Sequence, residues 1–135
     1  MTDDEIIELL KTIKAIAVVG ISKDETRPSN IVARYLRNEG YKIIPVNPLY
    51  DEVLGEKCFK GLSDIEEPVD VVDIFMRSEK VVPFVKEATN IKPKCIWLQL
   101  GIKNEEAKRL AEEGGIKFVM DRCIKIEHAR LIKTK

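Results

Sequence analysis

The chain has 135 residues, enough for one domain with a single core but not for a nucleotide-binding domain followed by a separate substrate domain. Its 23 lysines and arginines balance 23 aspartates and glutamates, so the overall charge favours neither nucleic acid nor an anionic membrane, and any anion site must be local. No apolar stretch approaches the roughly 20 residues that span a bilayer, and the acidic N-terminal segment is unlike a secretory signal, which predicts a cytoplasmic protein.

The first part of the chain alternates helix and strand patterns. Thr2 and Glu5 have the spacing of a helix capping box, and the apolar stripe that follows predicts a short leading helix. Residues 15–19 carry no polar side chain, which is typical of a parallel strand covered on both faces. Pro28 suits the first turn of the next helix, and residues 42–46 form the second predicted strand.

After the second strand, the sequence predicts an irregular segment with a short extended piece, and the alternation of strands and helices then resumes. Residues 69–75 predict another apolar strand, with Asp70 and Asp73 at its polar positions. Ser78 is predicted to cap a helix over residues 79–88.

The last part of the chain adds two strands and two helices. The strands are predicted at residues 95–100 and 117–120, and the helices at residues 105–113 and 124–132. Strands and helices therefore alternate throughout, without repeats or linkers. The predicted fold is α/β: a Rossmann-like, doubly wound, mainly parallel five-stranded sheet with helices on both faces.

The residues directly after the strands indicate the ligand, because a doubly wound sheet binds its ligand outside the carboxyl ends of its strands. Gly20-Ile21-Ser22 ends the first strand, and such small residues can present backbone N–H groups to a phosphate. Lys23 and Arg27 in the same loop can add positive charge. The GxGxxG fingerprint is absent, and Asn47 stands where an acid would bind a ribose 2′-OH, so NAD is disfavoured.

The strand-end residues form one set of motifs: Gly20-Ile21-Ser22, Arg27-Pro28-Ser29, Val46-Asn47-Pro48, Val72-Asp73-Ile74-Phe75-Met76-Arg77-Ser78, Trp97-Leu98-Gln99-Leu100-Gly101, Met120-Asp121-Arg122-Cys123 and Glu127-His128. This set resembles the small stand-alone CoA-binding proteins, which are related to the CoA-binding domain of succinyl-CoA synthetase alpha subunits. The resemblance covers nearly the whole chain. It implies a single CoA-binding domain over residues 1–135, with CoA lying across the carboxyl edge of the sheet.

The resemblance also implies which residues would meet each part of CoA. Gly20 and Ser22 would meet the phosphates, Asn47-Pro48 would shape the adenosine side, and Gln99 with Gly101 would lie under the pantetheine arm. The predicted cofactor-binding residues are Val19, Gly20, Ile21, Ser22, Lys23, Arg27, Ser29, Val46, Asn47, Pro48, Phe75, Arg77, Gln99, Leu100 and Gly101.

The sequence predicts neither a catalytic set nor a metal site. Its one histidine, His128, is expected to be a hydrogen-bonded surface or helix-packing residue. Three widely spaced cysteines fit neither a disulfide framework nor a CxxC site and are expected to be reduced thiols. Cys123 follows a strand, where it is either a small packing residue or a thiol that can form a mixed disulfide with the CoA sulfur.

Three functions stay open on the sequence alone. The first is binding of CoA, free or acylated, without catalysis. The second is delivery of CoA to a partner synthetase subunit that activates an acid, and a homo-oligomer is an open alternative to such a partner. The third is an NAD(P)-dependent oxidoreductase, which the missing glycines and the missing acidic residue make the weakest of the three.

Overall fold

The computed structural model describes residues 1–133, whose strands form one large sheet and one small hairpin. In chain order the strands are β1 Ala15–Val19, β2 Lys42–Val46, β3 Glu52–Val53, β4 Glu56–Lys57, β5 Val71–Ile74, β6 Cys95–Leu98 and β7 Lys117–Val119. The large sheet has the order β2-β1-β5-β6-β7, and all its neighbouring strands are parallel. The short β3–β4 hairpin lies in the segment that was predicted to be irregular.

Helices cover both faces of the sheet. They are α1 Asp3–Thr12, α2 Pro28–Asn38, α3 Val81–Asn90, α4 Glu105–Glu113 and α5 Ile124–His128, which continues as a π-helical segment, Ala129–Lys133. One apolar core cluster contains side chains of α1, α2 and α5, and the other contains side chains of α3 and α4. The predicted doubly wound α/β fold is therefore confirmed. Within residues 1–133, no helix is long and apolar enough to cross a bilayer.

Two local predictions from the N-terminal part are also confirmed. The Thr2 Oγ1 accepts a hydrogen bond from the Glu5 amide at 3.2 Å, and the Thr2 amide donates to the Glu5 carboxylate at 3.0 Å, which completes the capping box of α1. Every residue of β1 is buried, because helices pack on both faces of this central strand.

The ends of two strands and the start of one helix differ from the prediction. The strand predicted at 69–75 is shorter, and the strand predicted at 95–100 ends at Leu98, opposite the last residue of β5. Ser78 does not cap α3: it lies in a 3₁₀ turn, Ser78–Lys80, and its Oγ accepts a hydrogen bond from the Lys103 amide at 3.0 Å. α3 begins at Val81, so that Pro83 falls in its first turn, where the missing N–H is tolerated.

Asp73 was predicted at a polar position of its strand, but it is buried. The residue pairs with Val18 of β1 and Trp97 of β6, its side chain is fully buried, and neither carboxyl oxygen has a hydrogen-bond partner within residues 1–133. Burial raises the pKa of Asp73 well above its usual range. The prediction was wrong because both faces of this sheet are covered, so alternation along the strand does not lead a side chain to water.

The side chain of Asp70, which directly precedes β5, is hydrogen-bonded to the backbone. Its carboxylate accepts hydrogen bonds from the amides of Lys14 at 2.8 Å and Ala15 at 3.0 Å. The interaction ties the loop before β5 to the first residue of β1, which places the two central strands in register.

Candidate functional site

A cavity of about 650 Å³ opens at the carboxyl ends of the central strands. The order of the strands reverses between β1 and β5, since β2 lies on one side of β1 and the later strands of the large sheet lie on the other. Such a switch point is where doubly wound folds bind their ligands. The wall of the cavity consists of Gly20, Ser22, Arg27, Pro28, Ser29, Val32, Phe75, Met76, Arg77, Gln99, Leu100, Ile102, Cys123 and Ile126.

The turn after β1 can only be made by a glycine. Gly20 has φ +83°, and a Cβ on this residue would lie 2.5 Å from the carbonyl oxygen of Phe75. Its amide donates to the carbonyl oxygen of Val46 at 2.9 Å. The close approach brings the turn after β1 against the loop after β5, so both loops contribute to one wall of the cavity.

Three side chains hold the loop that follows this turn. Ser29 Oγ accepts from the Ser22 amide at 2.9 Å, and Asn30 Nδ2 donates to the Ser22 carbonyl at 2.8 Å. Asn47 Nδ2 donates to the Ile21 carbonyl at 2.9 Å. Because the side chain of Ile21 is also fully buried, this loop is fixed before any ligand binds.

Positive charge and a helix N-terminus meet on this side of the cavity. α2 begins at Pro28, and its N-cap residue Arg27 makes no side-chain hydrogen bond to the first turn. The first turn of a helix carries partial positive charge and N–H groups without intrahelical partners. Arg27 and Arg77 are exposed side chains in the wall, from the loops after β1 and β5. This combination suits a phosphate or another anion.

A second group of wall residues is mainly apolar. It is formed by the loop after β6 and by the segment after β7, and its members are Leu100, Ile102, Cys123 and Ile126. We call these four residues the apolar end of the cavity. Gln99 also belongs to the wall, and its Oε1 accepts a hydrogen bond from the Ile124 amide at 3.2 Å, so its oxygen positions α5.

Part of the predicted set lines the cavity and part does not. The residues in the wall are Gly20, Ser22, Arg27, Ser29, Phe75, Arg77, Gln99 and Leu100. The residues outside the wall are Val19, Ile21, Lys23, Val46, Asn47, Pro48 and Gly101.

The residues outside the wall have identifiable structural positions. Val19 and Val46 are buried in the core of the sheet. Lys23 Nζ lies 5.3 Å from the centre of the Tyr50 ring, and the Gly101 amide donates to Asp121 Oδ1 at 2.8 Å.

The sequence analysis left several wall residues out of its predicted set. Pro28 and Met76 stood inside the quoted motifs without a binding role, and Cys123 was considered as a packing residue or as a reactive thiol. Val32, Ile102 and Ile126 gave no signal, because apolar residues on a helix or in a loop are indistinguishable from core residues until α2 and α5 are packed together.

Of the three cysteines, only Cys123 lines the cavity, where it is half-buried. Cys58 and Cys95 are buried. Burial raises the pKa of both thiols, that of Cys95 to about 12.

His128 lies outside the cavity wall and packs between two tyrosine rings. Its Nδ1 is 2.9 Å from the hydroxyl oxygen of Tyr35, and the rings of Tyr35 and Tyr41 meet it edge-on with centroid distances of 5.5 and 5.7 Å. Burial lowers the pKa of His128. With these neighbours, His128 is a packing residue that joins α5 to α2.

Comparison with known proteins gives consistent matches over the chain. A family model described as CoA binding domain matches residues 14–129. The uncharacterized protein YneT of Bacillus subtilis is 42% identical over 125 residues, which cover 93% of each chain. A solved structure of a Thermus thermophilus protein, cell-free ID.343, superposes with a TM-score of 0.94 at 40% identity and covers 98% of this chain and 100% of that one.

A larger enzyme contains a similar segment. An ADP-forming acetate–CoA ligase of Methanocaldococcus jannaschii is 38% identical over 74 residues, or 55% of this chain. The match covers 10% of the ligase. The similarity therefore concerns one small part of that enzyme.

Proposed function

Since the chain belongs to the CoA-binding domain family, we propose that it binds coenzyme A, free or acylated, in the cavity at the carboxyl edge of its sheet. The observation that carries the proposal is the division of the cavity wall. Its two arginines come from the loops after β1 and β5, whereas the apolar end comes from the segments that follow β6 and β7. CoA has the same division, with phosphates at one end and a long pantetheine arm at the other.

The phosphates bind at the turn after β1. The amides of Gly20 and Ser22 already donate to the Val46 carbonyl and to Ser29 Oγ, so attraction comes from the positive end of α2 and from the two arginines. The adenosine extends beyond the cavity wall, toward Lys23 and Asn47-Pro48. The pantetheine arm crosses Phe75 and the Gln99–Gly101 segment toward the apolar end.

Titration calorimetry with CoA, NAD and ATP tests this proposal. CoA should bind most tightly of the three, and Arg27→Ala and Arg77→Ala should each weaken CoA binding about tenfold, since a charged hydrogen bond contributes about 1.5 kcal/mol or more. Arg109→Ala is the matched control, because Arg109 lies on α4 and pairs with Glu113. Tighter binding of NAD than of CoA would exclude the proposal, and so would equal losses in all three variants.

A second candidate function is delivery of CoA to a partner that activates an acid with ATP. The similarity to part of an ADP-forming acetate–CoA ligase favours it. Purification of the tagged chain from its own cells should then retain a second polypeptide, and the pair should release ADP only when an acid and CoA are both present. A chain that binds CoA but purifies alone, with no ADP release, is a binding protein.

A further inference from the structure

Large apolar side chains are exposed at only a few places in residues 1–133, and two of these places adjoin the cavity. Leu49, Leu100 and Ile126 have exposed fractions of 78%, 62% and 55%. Leu100 and Ile126 both belong to the cavity wall, although one comes from the loop after β6 and the other from α5. A single exposed aliphatic side chain is ordinary, but two on one cavity wall form a surface suited to an apolar group.

Polar groups around the apolar end are already engaged with protein atoms. The Gln99 oxygen accepts from the Ile124 amide. Asp121 accepts from the Gly101 amide at 2.8 Å and forms an ion pair with Lys103. A ligand group that contacts Leu100 and Ile126 therefore gains apolar contact and leaves these hydrogen bonds of Gln99 and Asp121 in place.

We infer that the apolar end binds the acyl chain of an acyl-CoA, so that the ligand is a CoA thioester of an aliphatic acid in preference to free CoA. This inference rests on the proposed function. With the phosphates beside Arg27 and Arg77, the pantetheine arm carries its sulfur toward β6 and β7. A group attached to that sulfur then lies against Leu100, Ile102 and Ile126.

The expected preference follows from the area that this surface can cover. Full burial of a methylene group raises affinity about fourfold. The apolar end is open to solvent on one side, since Leu100 and Ile126 remain more than half exposed. Affinity should therefore rise by about twofold for each added methylene until the chain passes beyond these two side chains.

Calorimetric titration with CoA, acetyl-CoA, butyryl-CoA, hexanoyl-CoA and octanoyl-CoA tests the inference. Affinity should rise along the series in the unaltered protein. In the double variant Leu100→Ser and Ile126→Ser, the affinity of each acyl-CoA relative to that of free CoA should stay the same along the series, so the rise is lost. Leu49→Ser is the matched control, because Leu49 is the most exposed of the three and lies outside the wall; it should keep the rise.

The outcomes separate this inference from the proposed function. Failure of every member of the series to bind, CoA included, would reject the proposed function and the inference with it. Binding of CoA with flat affinities along the series would reject only the inference. A rise that persists in the double variant would also overturn the inference. So would flat affinities in an unaltered protein that self-associates while the double variant does not, because the surface would then bind a second copy of the chain.

Discussion

The carboxyl group of Asp73 lies in the middle of the sheet without a hydrogen-bond partner among residues 1–133, and this makes stability depend on pH in a calculable way. Burial disfavours the charged form, so the pKa of Asp73 in the folded protein lies well above that of an unfolded aspartate, about 3.9. Above about pH 4 the unfolded chain releases this proton while the folded protein retains it. Folding stability attributable to Asp73 therefore falls as pH rises, from the unfolded pKa to the folded pKa.

Asp73→Asn removes this titration with little change in shape. The free energy of unfolding of the variant, minus that of the unaltered protein, should increase by about 1.4 kcal/mol for each pH unit above about pH 4, until the folded pKa is passed. Urea unfolding followed by circular dichroism, at pH steps from about 4 to about 8, measures this difference. Other titrating groups cancel in it.

Asp70→Asn provides a control of opposite sign. Burial alone would raise the pKa of Asp70, but hydrogen bonds from the Ala15 and Lys14 amides outweigh it, and the pKa is lowered. Its stabilisation is present above about pH 4 and is lost as pH falls through the folded pKa. The variant should therefore be less stable near neutral pH, and its deficit should shrink in acid. A difference between Asp73→Asn and the unaltered protein that does not change with pH would refute the reasoning.

Other predictions concern the cavity and the helix beside it. Gly20→Ala should lower the free energy of unfolding by about 2 kcal/mol or more and weaken CoA binding, because the residue has φ +83° and its Cβ would meet the Phe75 carbonyl; unchanged urea unfolding would contradict the geometry. Iodoacetamide should modify Cys123 before the two buried cysteines, and saturating CoA should slow the reaction; mass spectrometry of peptides would reveal any other order. Burial lowers the pKa of His128, so stability should fall as pH drops below about 6.5, and His128→Gln should flatten that fall in thermal unfolding; an equally steep fall in both proteins would assign it to other groups.

The order of elements could be predicted from the sequence because it depends on local patterns. The capping box at Thr2 and Glu5, the apolar run of β1 and the proline at the start of α2 are each readable from neighbouring residues. The buried position of Asp73 could not be predicted in this way, since it depends on helices that cover both faces of the strand.

The candidate site was predictable to a similar extent. Residues directly after strands could be located because parallel strands bring their carboxyl ends to one edge, which identified Gly20, Ser22 and Arg77 as neighbours. The apolar contributions of Val32 and Ile126 were not predictable, because they arise where α2 packs against α5.

The most direct test of the central claim is a ¹H–¹⁵N NMR titration of the 15.4 kDa chain with CoA. The proposed site predicts that the largest changes in backbone amide shift fall at Gly20, Ser22, Ser29 and Arg77, with smaller changes at Cys123. Saturation should correspond to one CoA per chain. Absence of shift changes at millimolar CoA, or changes confined to residues outside the cavity wall, would contradict the claim that this cavity binds CoA.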